Sequence, residues 1–332
     1  MRILTGIKPT GALHLGNYVG AMRPALRLLK DKAQEAYLFI ADGHALTGAV
    51  KGKELRAMTH HVAAAYLAVG LDPERVVFYR QSALREVFEL FWLLSCVCPK
   101  GLMNRAHAYK AIVQDRLGDK DPDRDVWMGL YNYPILMAAD ILLFSADEVP
   151  VGPDQVQHVE IARDLALKFN QRYGECLKLP RAFTPKETPV LVGLDGRKMS
   201  KSYGNTIGLF ADEATLRKLI FRIKTNSQRP EEPKEFEMCA LFGLFSAFAG
   251  TSEILEMKNR YAQGIGWAEM KEITFNTVNT ALKPLRAAYE VIMQSPEKIE
   301  AFLQKGEEKA RHEAAHLMQQ VRLNVGFGSL DS

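Results

Sequence analysis

The chain has 332 residues, 47% hydrophobic and 25% charged, with a formal charge of +4. That is enough to bury a core and to make two domains. No apolar run reaches the ~20 residues of a membrane helix, and no signal or transit segment precedes the first strand pattern. A small positive charge permits a polyanionic partner without requiring one. Cys96, Cys98, Cys176 and Cys239 form no CxxC pair and no disulfide framework, which fits a reducing compartment and a cytoplasmic location.

In chain order, Arg2–Thr5 reads as a strand. The glycine loop Gly6-Ile7-Lys8-Pro9-Thr10-Gly11 follows, then a helix from about Gly16 on which Tyr18, Met22, Leu26 and Leu29 share a face. Tyr37–Ala41, Val76–Arg80 and Glu148–Val151 are further strand candidates. Between the second and third, Leu55, Met58, Val62, Tyr66 and Val69 recur at helical steps. Alternation of this kind predicts an α/β fold: a doubly wound parallel sheet of Rossmann type, with ligands beyond the carboxyl ends of the strands. Asp154–Tyr173 reads as a long helix with Val159, Ala162, Leu165, Ala166 and Phe169 inward. Val190–Asn205 is a loop rich in Gly, Lys and Ser, and from Ala211 the patterns are helical, ending in a charged helix around Glu307–Val321. The boundary is placed near residue 205, dividing a catalytic domain (1–205) from a helical domain (206–332). The last helix is a candidate to pack back on the first domain.

Two loops carry the chemistry. In the first, glycines let backbone approach a phosphate, and the following helix start offers free N–H groups and a positive dipole end. His14 can donate to a phosphate oxygen, and Asn17 lies one turn on. Taken alone, the loop is equally a tight strand-to-helix turn. In the second, Asp195 to Asn205, three cations fall within five residues among hydroxyls and flanking glycines. Ammonium groups on a closing loop suit the charge that a triphosphate develops as it reacts, although most short basic stretches are solvated surface.

His14-Leu15-Gly16-Asn17 resembles the "HIGH" motif of class I aminoacyl-tRNA synthetases, and Lys198-Met199-Ser200-Lys201-Ser202 matches their "KMSKS" motif letter for letter. Their order and separation also match. Further along, Tyr133 to Phe144 is an apolar helical run with one carboxylate, Asp140. A buried carboxylate needs a partner: an Arg or a helix cap, or a donor brought by the substrate. That run, with Val149-Pro150-Val151-Gly152-Pro153-Asp154-Gln155-Val156-Gln157-His158, resembles the tryptophanyl-tRNA synthetase family. The likeness covers nearly the whole chain, including Ala41-Asp42-Gly43-His44-Ala45-Leu46-Thr47, Arg163–Ala166 with Phe169-Asn170, and Gly306-Glu307-Glu308-Lys309-Ala310.

The resemblance implies that Asp140 accepts a hydrogen bond from an indole N–H, a donor-only group that suits an acceptor-only carboxylate. Such a site rejects phenylalanine, which would leave the carboxylate unpaired. It places Tyr133, Met137, His44, Val149, Val151 and Gln155 in the same pocket. For Met137, Val149 and Val151, ordinary core is an equal reading. It assigns ATP contacts to Lys8, Pro9, Thr10, Gly16 and Asn17, to Gly152, Pro153 and Asp154 on the ribose side, and to Lys198, Met199, Ser200, Lys201 and Ser202 at the triphosphate. His14, Lys198 and Lys201 carry the transition-state charge.

Three positions depart from the family pattern. Lys8 stands where many relatives have Gln, Leu4 where some have an aromatic ring, and Pro153 where Glu is common. Pro153 removes an acid and a backbone donor. Cys239 is too few ligands for the iron–sulfur cluster of some relatives, so neither that cluster nor zinc is expected, only the Mg2+ that travels with ATP. The implied protein is a homodimer that makes tryptophanyl-adenylate and transfers the acyl group to tRNA. Competing readings are a tyrosine-specific synthetase of the same class, a small-molecule ligase or nucleotidyltransferase such as the pantothenate synthetase type, and a non-catalytic regulator binding RNA or tryptophan.

Overall fold

Side-chain alternation along the first strands decides the layering. In β1 (Arg2–Ile7), Ile3 and Leu4 enter different hydrophobic clusters. In β2 (Glu35–Ile40), Ala36, Leu38 and Ile40 join one cluster, and Tyr37 and Phe39 the other. In β3 (Val76–Arg80), Phe78 and Tyr79 divide likewise. Successive strand residues point to opposite faces, so a sheet with two buried faces needs helices on both. With β4 (Glu148–Pro150) and β5 (Arg181–Phe183) the sheet has five strands in the order β3-β2-β1-β4-β5, and every pairing is parallel. The computed structural model describes residues 1–48, 50–114, 116, 121–184 and 190–328.

The first crossover is α1 (Leu15–Asn17), which runs through a π turn at Tyr18–Met22 into α2 (Arg23–Asp31). Next come α3 (Asp42–Ala45), α4 (Gly52–Ala68), α5 (Arg85–Val97), α6 (Lys100–Met103), α7 (His107–Gln114), α8 (Met128–Leu143) and α9 (Val156–Tyr173). The long helix expected from Asp154 begins instead with a 3-10 turn at Pro153–Gln155, and its five inward residues are all buried. Val62 and Tyr66 of α4 pack on one face of the sheet, while Leu90 of α5, Ala138 of α8 and Ala162 of α9 pack on the other. β5 was not anticipated: three residues opening on an arginine carry no periodicity, and only pairing with β4 makes them a strand.

After residue 205 come α10 (Glu213–Phe221), α11 (Ala240–Ser246), α12 (Thr251–Gln263), α13 (Trp267–Met293) and α14 (Pro296–Val325). α14 returns along the edge strand β3. Its Ile299 and Leu303 join one cluster, and Ala310, Ala314, Met318 and Val321 the other. Gly306 permits this, since a Cβ there would lie 1.8 Å from the Phe78 carbonyl oxygen. Arg80 ties the contact down through Glu300 and the buried Glu307. A bare sheet edge is thereby covered. Among the described residues no helix is long and apolar enough to cross a membrane.

Candidate active site

In an open α/β sheet a crevice forms where neighbouring strands send their crossovers to opposite faces. Here that point lies between β1 and β4, and a cavity of about 600 Å³ opens at their carboxyl ends. Leu4 and Lys8 line it from β1 and its loop, and Val149, Val151 and Gly152 from β4 and its loop; Gln155 follows, and His44, Tyr133, Met137 and Asp140 close it. Met137, Val149 and Val151 are therefore wall as well as core.

Asp140 is 1% exposed. Its partners among the described residues are neither an Arg nor a helix cap. His44 Nε2 lies 2.9 Å from Oδ2, and Gln81 Nε2 donates to both oxygens at 2.8 Å. Burial pushes the Asp140 carboxyl above the usual carboxylate range, and the His44 and Gln81 bonds pull it back. Nearby, Asp42 accepts from the backbone N–H of Ser82 (2.9 Å) and of Gly43 (3.0 Å), fastening α3, which carries His44, to the end of β3. The Tyr133 hydroxyl meets His158 Nε2 at 2.8 Å, and His158 is 1% exposed. Lys8 Nζ donates to Thr47 Oγ1 at 2.9 Å, and burial lowers its pKa.

The first phosphate loop is shaped by its own motif. His14 caps α1: its Nδ1 accepts the Asn17 N–H at 3.3 Å, and Asn17 Oδ1 accepts the His14 N–H at 3.1 Å. Leu15 is buried. Gly16 leaves room for the imidazole, which a Cβ would meet at 3.0 Å. Because Nδ1 is an acceptor, the proton sits on Nε2, which is free to donate. Burial first, and the Lys201 charge second, lower the His14 pKa to about 4, so it is neutral near pH 7.

The second loop folds over the first. Lys201 Nζ donates to the Thr10 carbonyl. Met199 is 4% exposed and packs in the core beside Gly16, so its side chain anchors the loop, leaving Lys198, Lys201 and Ser202 exposed and Ser200 half-buried. Asn205, 2% exposed, braces the loop from below: Oδ1 accepts the Ser200 N–H at 2.8 Å, and Nδ2 donates to Asp195 Oδ1 at 2.6 Å and to the Lys198 carbonyl at 3.2 Å. Gly152, Pro153 and Asp154 form the turn before α9; a Cβ on Gly152 would meet Asp154 Oδ1 at 2.8 Å.

A model of the family described as "tRNA synthetases class I (W and Y)" matches residues 1–283. The chain belongs to this family. It is 49% identical over 331 residues to the tryptophan–tRNA ligase of Neisseria meningitidis, covering 99% of this chain and 98% of that one. It is 48% identical over 334 residues to the enzyme of that name from Xanthomonas campestris, covering 100% of this chain and 78% of the other. The structure of tryptophanyl-tRNA synthetase from Campylobacter jejuni complexed with ADP and tryptophan superposes with a TM-score of 0.89 at 42% identity, covering 98% of this chain and 100% of that one.

In this class I synthetase fold most of the chosen residues, all but Pro9, Pro153 and Asp154, fall into two groups. Lys8, His44, Tyr133, Met137, Asp140, Val149, Val151, Gly152 and Gln155 surround the cavity. Thr10, His14, Gly16, Asn17 and Lys198–Ser202 gather where the two loops cross. Gln81, His158 and Asn205 were missed as site residues. Gln81 and His158 are buried behind the wall and carry no spacing signal. Asn205 could have been noticed as the last residue of the lysine loop. Among the described residues no three His, Cys, Asp or Glu side chains are grouped to hold a metal ion.

Proposed function

We propose that this synthetase is an ATP-dependent tryptophan–tRNA ligase of the cytoplasm. The tryptophan carboxylate attacks the α-phosphate of ATP, giving tryptophanyl-adenylate and pyrophosphate, and the acyl group then passes to the 3′-terminal ribose of its tRNA. One observation carries the reading: a largely apolar cavity at the sheet's switch point ends on a buried carboxylate whose protein partners are all donors. Asp140 takes the indole N–H with His44 bonded beside it, Met137, Val149 and Val151 hold the ring, and Tyr133 and Gln155 serve the polar end.

Lys8, Pro9, Thr10, Gly16 and Asn17 serve the phosphates and Gly152, Pro153 and Asp154 the ribose. His14 offers its Nε2–H, and Lys198 and Lys201 their charges, to the oxygens that gain charge as the α-phosphate is attacked; Met199, Ser200 and Ser202 hold that loop. No side-chain nucleophile is required, so positioning and charge stabilisation supply the rate. Mg2+ is expected to travel with the nucleotide, since magnesium takes phosphate oxygens and water as ligands. The helical region, 206–332, is assigned to tRNA recognition.

Two copies are expected to pair through an apolar patch on the outer side of α5, where exposed Phe88, beside Gly43, and Trp92 lie one turn apart, with Leu46 and Met128 lining the groove that Gly43 also borders. Trp92, for instance, is 64% exposed. Light scattering that finds only monomer would refute that assembly.

Exchange of labelled pyrophosphate into ATP, run with a panel of amino acids, tests the activity. Exchange with tryptophan alone is expected. A phenol O–H is also a donor, so exchange with tyrosine instead would assign the other specificity of the family, and exchange with no amino acid would favour a non-catalytic role.

A further inference from the structure

Gln81 lies outside the cavity wall, yet it governs the group on which selection depends. It is the first residue of the 3-10 turn Gln81–Ala83 that ends β3, and it is 0% exposed. Its orientation is unambiguous. Oε1 accepts the backbone N–H of His44 at 3.2 Å, a group that can only donate, so the NH2 must face Asp140. From there Nε2 reaches both Asp140 oxygens at 2.8 Å. The fit is close: a Cβ at position 43 would meet Gln81 Oε1 at 2.7 Å, so Gly43 is what lets the amide in.

A carboxylate has about four lone-pair sites. Oδ2 takes His44 and Gln81, and Oδ1 takes Gln81 alone. One site on Oδ1 therefore remains for a donor arriving through the cavity that Asp140 lines. We propose that Gln81 is a positioning residue for specificity: its amide fixes the Asp140 carboxylate as an acceptor with one free lone pair presented to the cavity, and so sets the preference for a ring N–H over a bare phenyl ring. This rests on the tryptophan reading above. The physical need is plain. A carboxyl group this deeply buried tends to take up a proton, and a neutral carboxyl is the weaker acceptor, since charge-assisted hydrogen bonds are about twice as strong as neutral ones. One amide N–H shared between both oxygens opposes both protonation and rotation.

Gln81→Glu tests this without changing shape. It sets a second carboxyl against Asp140, and two carboxyls this close cannot both ionise at ordinary pH, so the pair shares a proton. While the proton is held, the introduced carboxyl still donates to Asp140. As pH rises and the proton leaves, the donor is lost and like charges face each other. In pyrophosphate exchange, KM for tryptophan is expected to rise on the order of tenfold or more between about pH 6 and 9, with KM for ATP unchanged. Gln81→Met, which fills the same length without a donor, should lose a similar factor of tryptophan-over-phenylalanine discrimination at every pH. It carries the test alone if the glutamate variant fails to fold, as judged by thermal melting. A wild-type enzyme active with tryptophan, beside variants with wild-type KM and discrimination throughout, overturns the role of Gln81 and leaves the proposed activity standing. A wild-type enzyme that ignores tryptophan overturns both.

Discussion

Replacing Asn205 by Ala should separate the rate of adenylate formation from tryptophan binding. The Asn205 amide holds three groups: the Ser200 N–H (2.8 Å), Asp195 Oδ1 (2.6 Å) and the Lys198 carbonyl (3.2 Å). Each bond is worth about 1 kcal/mol net. Two to three of them hold the lysine loop in shape, because water can re-satisfy the exposed rim. A loss of about 2–3 kcal/mol lowers the population of the shaped loop, and so kcat of exchange, by about 30- to 150-fold. KM for tryptophan should stay put, since Asn205 touches no wall of the cavity. Asn205→Asp sharpens the test. It retains the acceptor for Ser200 but turns the 2.6 Å contact with Asp195 into a carboxylate pair. The closer isostere should therefore be no more active than alanine. An alanine variant within threefold of wild type, or an aspartate variant clearly better than alanine, refutes the bracing role.

Lys201→Ala should lower the exchange rate by about 10²–10³, the usual cost of removing one group that stabilises transition-state charge, while calorimetric tryptophan affinity holds; equal losses in both would refute the assignment. His14 has a folded pKa of about 4, below the ordinary 6.5. The unfolded chain therefore binds the proton more readily between those values, so stability from this group is complete above about pH 6.5 and declines as pH falls towards 4; an imidazole NMR signal of His14 titrating near 6.5 would contradict this. Gly306→Ala should lower the melting temperature. Its Cβ would stand 1.8 Å from the Phe78 oxygen, and overpacking of about 3 kcal/mol outweighs the ~1 kcal/mol of helix propensity gained. An unchanged or higher melting temperature would remove the close-approach argument.

The strands and the first phosphate loop were legible because their signals are local. Ile3-Leu4 and Val76-Val77-Phe78-Tyr79 are short β-rich apolar runs, as strands buried on both faces are. His14, Gly16 and Asn17 hold one another within a single turn, so the motif contains its own structure. The partners of Asp140 were not legible. Gln81 is 59 residues away and meets it only because β3 and α8 converge. Burial alone implied that the carboxylate needed a donor; it could not say that the protein supplies donors and leaves one lone pair over. Met199 stands among cations and reads as one more contact, yet only the packed core shows that it is the anchor.

The arrangement separates two demands that conflict. Telling an indole from a phenyl ring requires an acceptor that does not move, and Asp140 on α8 and Gln81 in the 3-10 turn after β3 are 1% and 0% exposed. Stabilising a charge that exists only in transit requires cations that can close on it, and Lys198 and Lys201 lie on an exposed segment held by one buried methionine and one asparagine. The fold places the first on α8 and the turn after β3 and the second in the loops that cross beyond β1. A change in the brace should therefore alter speed without altering choice, and a change behind the cavity should do the reverse.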